Sequence, residues 1–316
     1  MGIGRRRFLV DSSLAASVVL GCRPRGVPAL IGTSYRPVTQ VVEGVPSVDG
    51  AGVHLTRIIG HQQLRHRDPF VLLDRIHSND PAAYARGFPD HPHRGFETVT
   101  VMLDGRMRHR DSRGNHGVIT GGGAQWMTAG RGIVHSEMPE QDEGWISGFQ
   151  FWINLPAREK MCPQEYQDLQ PSRLTEERLS SAGSVARVIA GRADGLAGPV
   201  HQRTTEPLLL TLALEDDRPF EVDVPAGHEA FVFVHAGELA IGESSREVMV
   251  PEGALALLGA GRRIRARAPN LRSVAIVAAA RPLNEPIVQR GPFVMNTEQE
   301  INQAIEDYHN GVLDRA

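Results

Sequence analysis

Only two of the 316 residues are cysteine, Cys22 and Cys162. A disulfide framework is therefore excluded, and a chain of this length buries enough apolar surface to need no covalent staple. Neither sign of charge prevails: 34 Lys and Arg stand against 37 Asp and Glu, a formal net charge of -3. Nothing suggests a basic surface for nucleic acid. Aromatic residues are scarce, at 5%, which by itself decides nothing. Long apolar runs are missing as well. The stretch that follows the first arginines is short and contains Asp11, Ser12 and Ser13, too polar for a stable membrane span.

Turn residues, by contrast, are plentiful. With 33 Gly and 21 Pro between many short Val, Ile and Leu runs, the chain reads as all-β, and its length suits about two domains.

The first residues follow a different logic. "RRRFLVDSSLAASVVLGC" sets Arg5 and Arg6 before Phe8 and Leu9, then a mildly apolar stretch ending in small residues. This is the layout of a twin-arginine export signal. Residues 1–32 are therefore expected to be export signal and linker, read by the twin-arginine machinery, with the mature protein periplasmic or otherwise exported. A basic N-terminal tail on a cytoplasmic protein is the competing reading. Cys22 after Gly21 resembles a lipoprotein processing box, although Leu20 is unusual there, so a lipid anchor at Cys22 is a minor alternative. Cys162, between Met161 and Pro163, is expected to be a buried thiol without chemistry.

"DHPHRGFETVTVMLDG" carries the chemistry. Alternate residues of a strand face the same way, so His91 and His93 can converge on one point. "TAGRGIVHSEMPE" repeats the device with His135 and Glu137. Three imidazoles and a carboxylate make a mixed nitrogen and oxygen set for a divalent first-row metal, with Fe(II) first and Mn, Ni, Cu or Zn as alternatives, leaving positions for water or substrate. Glycines at 95, 105, 114, 117, 121 to 123, 130 and 132 punctuate the short runs as in a small antiparallel barrel. The spacing H-x-H-x3-E and the later G-x2-H are the cupin pattern. Glu97 shares parity with both histidines. It reads as a group behind the ligands, as a residue displaced by a bulge at Gly95, or as a rim carboxylate paired with Arg94 or another arginine. Gln125, Trp126, Met127 and Arg131 either line the pocket or belong to the core and its ion pairs.

"HPHRGFETVT", "QWMTAGRGIVHSEMPE", "REKMCPQEYQDL" and "GPFVMNTEQEINQAIEDYHNGVL" closely resemble the pirin family, a branch of the bicupins, over nearly all of the chain after about residue 35. The resemblance implies two cupin barrels, with a non-haem iron in the first held by His91, His93, His135 and Glu137. It also implies that the C-terminal segment returns to the N-terminal barrel. The expected layout is a metal-binding cupin domain at 33–170, a connection at 171–204, a second cupin domain without metal at 205–285, and a tail at 286–316. His228 and His235 lack a ligand partner. In the tail, Thr297 and Glu300 have capping-box spacing, so residues 297–310 are predicted to form an amphipathic helix.

Two activities fit the resemblance. One is a quercetinase-type dioxygenase acting with O2 on a small planar enol or phenol, with Glu137, or Glu97 behind it, as base. The other is a metal-dependent, redox-sensing protein binder without turnover.

Overall fold

The structure, a computed structural model, describes residues 35–315 except 194, 202 and 271. The expected export signal and Cys22 lie outside the described residues. The described chain is almost entirely strand. The first half comprises β1 (Val38–Glu43), β2 (Val45–Asp49), β3 (Val53–Ile59), β4 (Phe70–Ser78), β5 (Phe88–His93) and β6 (Phe96–Asp104). It continues with β7 (Arg106–Asp111), β8 (His116–Thr120), β9 (Ala124–Thr128), β10 (Ile133–Pro139), β11 (Ile146–Asn154) and β12 (Glu165–Leu169). The second half begins with β13 (Thr175–Arg178), β14 (Val185–Ala190) and a small hairpin of β15 (Arg192–Ala193) and β16 (Leu196–Ala197). It proceeds through β17 (Leu208–Leu214), β18 (Phe220–Asp223), β19 (Glu229–Ala236), β20 (Glu238–Ile241), β21 (Val248–Pro251), β22 (Ala254–Leu258), β23 (Arg263–Arg267) and β24 (Ser273–Ala280). A hairpin of β25 (Val288–Arg290) and β26 (Phe293–Met295) precedes the helix α1 (Glu298–His309).

These strands build two barrels of the same design. In the first, a seven-stranded sheet ordered β12-β9-β6-β11-β4-β3-β2 is completed by the four-stranded β5-β10-β7-β8. In the second, β1-β22-β19-β24-β17-β14-β13 is completed by β18-β23-β20-β21. Alternation decides which side chains go where. In β17, Leu210, Leu212 and Leu214 fill the second barrel, whereas Leu209 points to a separate core between the barrels. That shared core joins Val99, Val101, Trp126, Phe149 and Phe151 of the first barrel to Phe231, Phe233, Leu255 and Ile276 of the second. Phe70 meets Phe231 edge-on at 4.9 Å between ring centroids, a favoured aromatic arrangement.

Two segments lie elsewhere than the sequence suggests. β1 is the first strand of the chain, yet it pairs antiparallel with β22 of the second barrel. Residues 171–204, expected as a connection, contribute β13 and β14 to that same sheet. β13 is an edge strand with no fully buried residue, so its sequence carries little of the apolar alternation that marks a strand.

The tail packs on the first barrel. Thr297 caps α1 in a complete capping box with Glu300. Ile301, Ala304 and Leu313 bury against Phe293, Met295 and Val134. Arg94, 1% exposed, donates to Asp307 Oδ2 at 2.7 Å and to the Leu313 carbonyl at 3.0 Å. Gly95 and Gly132 permit this approach, because a Cβ on either would lie 2.0 Å from the Val294 carbonyl and 2.5 Å from the Leu313 carbonyl, respectively.

Candidate metal centre

β5 and β10 run antiparallel with His91 directly opposite His135 and His93 opposite Ile133. Opposed and alternate residues share a face, so the ribbon turns three imidazoles inward. Their ring centroids lie 4.4 to 4.9 Å apart, and one nitrogen from each falls within 4.8 Å of the others.

Hydrogen bonds prepare two of these rings to act as donors to a cation. His91 Nδ1 lies 2.8 Å from the Pro89 carbonyl and His93 Nδ1 lies 3.4 Å from the Pro292 carbonyl. A carbonyl can only accept, so each Nδ1 carries the proton and each Nε2 presents a lone pair. Those two Nε2 atoms face each other at 3.1 Å. Two lone pairs so placed repel unless a proton or cation lies between them. The spacing suits two imidazoles sharing one ion at about 2.1 Å. His135 is 1% exposed, and neither of its ring nitrogens has a hydrogen-bond partner among the described residues. A buried imidazole left wholly unpaired is costly, and a metal ion would satisfy it. Burial and the adjacent imidazoles hold His93 and His135 well below the ordinary histidine range, which keeps them neutral. The residues present therefore fit a metal ion.

Glu137, expected as the fourth ligand, is not in the converging group, which among the described residues is formed by the three histidines. β10 is regular here, its pairing with β7 unbroken from His135 to Pro139, so Glu137 keeps the face of His135; the extra residue lies in β5, and the carboxylate reaches across to the opposite sheet. There Oε1 accepts from Thr100 Oγ1 at 2.9 Å and Oε2 accepts from Gln150 Nε2 at 3.0 Å. It lines the same cavity as His91 and His93, about 780 Å³ in volume, and so do Leu55, Phe88, Met107, Ile146 and Trp152. A mostly apolar space of that size with a few convergent polar groups is the usual form of a small-molecule site. The Trp152 ring lies 5.0 Å from His93, while Gln289, Gly291 and Pro292 of the tail close one side of the cavity.

Glu97 is not part of this site: it does not stand behind the histidines as shared parity would have it, and it is displaced at Gly95. Gly95, with φ +90°, separates β5 from β6, so alternation does not carry across from His93. Within β6, Thr100 faces the metal cavity, whereas Glu97 takes the opposite parity with Val99 and Val101. Its carboxylate accepts from Thr128 Oγ1 at 2.8 Å and lies 3.5 Å from Arg203, in a separate cleft that also holds Cys162. Burial pushes the Glu97 carboxyl up. Arg94, an alternative partner for Glu97, belongs instead to Asp307.

The other neighbours sort similarly. Trp126 lies in the core between the barrels, and Met127 packs with Ala129 and Ile133. Gln125 donates to Asp168 at 2.8 Å. His235 takes a bond from Arg75 at 3.1 Å at the barrel junction, and His228 lies 3.6 Å from Glu206. Residues not singled out from the sequence complete the site: Thr100 and Pro292, inside quoted stretches, and Gln150 and Trp152, outside them. A weak signal existed for Gln150, a polar residue between Phe149 and Phe151 in the middle of β11.

Two stacked barrels with a three-histidine cluster in the first define a bicupin with an N-terminal candidate metal centre. The chain belongs to the pirin family: Pirin matches residues 52–153 and the Pirin C-terminal cupin domain matches residues 209–314. It is 48% identical to a Pseudomonas aeruginosa protein with the provisional name quercetin 2,3-dioxygenase, over 89% of this chain and 99% of that one. It is 38% identical to human pirin, over 88% of this chain and 93% of its relative. A crystal structure of quercetin 2,3-dioxygenase from Acinetobacter baumannii superposes with a TM-score of 0.81 at 31% identity, covering 89% of this chain and 99% of the other. No helix among the described residues is long and apolar enough to cross a membrane.

Proposed function

We propose that this protein is a metal-dependent dioxygenase acting on a flavonol-like or related planar enol or phenol. The observation that carries this reading is the unpaired, buried His135 beside two imidazoles whose lone pairs converge, at the wall of a substrate-sized cavity. The names of the bacterial relatives support the substrate class.

His91, His93 and His135 would hold the ion, with Glu137 as the carboxylate member of the set. A first-row ion, with Fe(II) the first choice, supplies when bound open positions for ligands and electron exchange with O2. The rest falls to the protein. The carbonyls of Pro89 and Pro292 keep His91 and His93 in the donor tautomer. Glu137 accepts the proton of the substrate hydroxyl at a carboxylate oxygen, and the Thr100 and Gln150 donors fix where that carboxylate stands. Trp152, Met107 and Ile146 exclude water and press on a flat ring.

The test is O2 consumption by protein loaded anaerobically with Fe(II), then mixed with a panel of flavonols and catechols. Uptake stoichiometric with loss of a flavonol is expected. No uptake with any member, for any of Fe, Mn, Ni, Cu or Zn, contradicts the reading. We further infer that Arg5 and Arg6 address the chain to the twin-arginine machinery, and that it works outside the cytoplasm.

A further inference from the structure

Beyond the candidate ligands, the polar residues on the inner face of the first barrel fall in a line. Thr100 of β6 lies opposite Gln150 of β11, Gln150 opposite Asp74 of β4, and Asp74 opposite Arg57 of β3. Opposed residues share a face, so four side chains form one row across four neighbouring strands. Three inter-strand steps of about 4.8 Å give the row a length of roughly 14 Å. That is comparable with the long axis of a three-ring flavonol. All four residues line the cavity that holds His91 and His93.

The rows on either side are apolar except for Thr98 of β6, which opposes Trp152. Met102, Gly148 and Ile76 are opposed in turn along one flank, and Trp152 opposes Leu72 along the other. Gly148 has no side chain to interrupt the floor, and a Cβ there would lie 2.6 Å from the Val101 carbonyl. The floor is therefore a polar stripe between two apolar strips, the shape expected for a long flat molecule carrying oxygens along its length.

At one end of the stripe, Thr100 and Gln150 hold Glu137. At the other stands Arg57, pinned in one plane. Its Nε and Nη2 donate to the two oxygens of Asp74 at 2.9 and 2.8 Å, and Nη2 also donates to Asp49 at 2.7 Å. Its Nη1 has no hydrogen-bond partner among the described residues. A partly buried ion pair is weak evidence for a stabilising role, because desolvation and solvent screening offset the attraction. A guanidinium held in one plane with a further donor at the wall of a cavity of mixed lining is, however, well suited to reading an oxygen.

We propose that Arg57, oriented by Asp74 and Asp49, determines specificity in this cavity. It receives a hydroxyl or phenolate oxygen on the substrate ring remote from the histidines, and so selects elongated polyphenols with an oxygenated terminal ring. The proposal rests on reading the cavity as the substrate site and names the part of the substrate that is recognised.

Binding without turnover tests it. The full-length, metal-loaded protein is titrated under argon with a flavonol bearing a 3′,4′-dihydroxyphenyl ring and with its counterpart bearing an unsubstituted phenyl ring, following tryptophan fluorescence. Wild type is expected to bind the dihydroxy compound about tenfold more tightly or better, the effect of a hydrogen bond to a charged group. Arg57→Met is expected to bind both compounds alike, at the affinity of the unsubstituted one. The double variant Arg57→Met with Asp74→Leu leaves no unpaired buried charge and is expected to show the same selective loss even if the single variant folds poorly. Absence of discrimination by wild type, or equal weakening of both compounds in the variants, overturns the proposal. Discrimination that persists while O2 uptake is absent removes the dioxygenase reading and leaves Arg57 as a recognition residue. O2 uptake without discrimination does the reverse.

Discussion

Thr100 and Gln150 touch Glu137 rather than the histidines, yet both should govern how well the site holds an ion. Removing the hydroxyl with Thr100→Val frees one carboxylate oxygen and unpairs a buried acceptor. Groups of this kind contribute about 10- to 100-fold to metal affinity or activity. A metal titration of the variant is expected to show a loss in that range with the fold retained, whereas unchanged affinity contradicts the role given to Glu137. Residue by residue, the site was legible where its chemistry is compact. His91 and His93 sit two apart and the strand period turns both to one face, where His135 joins them; Glu137 shares the spacing, yet its carboxylate goes to Thr100 and Gln150. Glu97 has the parity of the histidines, but Gly95, whose positive φ ends one strand before the next begins, displaces it, one of the readings its sequence allows. Arg57 and Asp74 could not be recognised, since only the strand register brings them into line with Gln150.

Elements are tied to the site by a few buried polar groups. Arg94 reaches from the end of β5 to Asp307 in α1, both largely buried. Asp307→Ala leaves the guanidinium buried without its partner and is expected to cost about 3–5 kcal/mol in urea unfolding; a cost below 1 kcal/mol contradicts the clamp. Lys160 is a second tie. Its Nζ donates to Gly95 O and Val294 O at 2.8 Å and to Asn154 Oδ1 at 2.6 Å, joining the start of β6 to β26. Burial lowers its pKa to about 7. Below pH 7 the ammonium is charged in both folded and unfolded chains, so the full desolvation penalty is present. Between about 7 and the ordinary lysine value only the unfolded chain keeps the proton, and stability rises with pH. Wild type is therefore expected to gain stability relative to Lys160→Met from pH 7 to pH 9, by up to about 1.4 kcal/mol per pH unit. Parallel profiles for the two proteins contradict a titrating Lys160. α1 itself was readable from Thr297, Glu300 and the apolar positions that follow. β13 was not, because an edge strand half open to solvent has no apolar alternation to read.

At the scale of the molecule, the seven-stranded sheet of the second barrel has two apolar faces, one turned to its own barrel and one to the other, whereas that of the first is apolar toward the second barrel and mixed toward its own cavity. Short strands without long apolar runs signalled the all-β class, but sequence alternation does not say which strand is whose neighbour. Hence β1 joins the second barrel unannounced. The proposed export route has its own test at this scale. Replacing Arg5 and Arg6 together by Lys is expected to leave the precursor in the cytoplasm, because the receptor distinguishes guanidinium from ammonium; undiminished export of the Lys-Lys form contradicts a twin-arginine signal.

The metal centre itself is tested most directly by the metal content of three folded proteins: wild type, His135→Ala and His228→Ala. His135 belongs to the convergent set in the first barrel, and His228 lies beside Glu206 in the second half of the chain. One equivalent of metal is expected in wild type and in His228→Ala, and none in His135→Ala. Equal metal in all three, or equal loss from both variants, would contradict a single metal centre built from His91, His93 and His135.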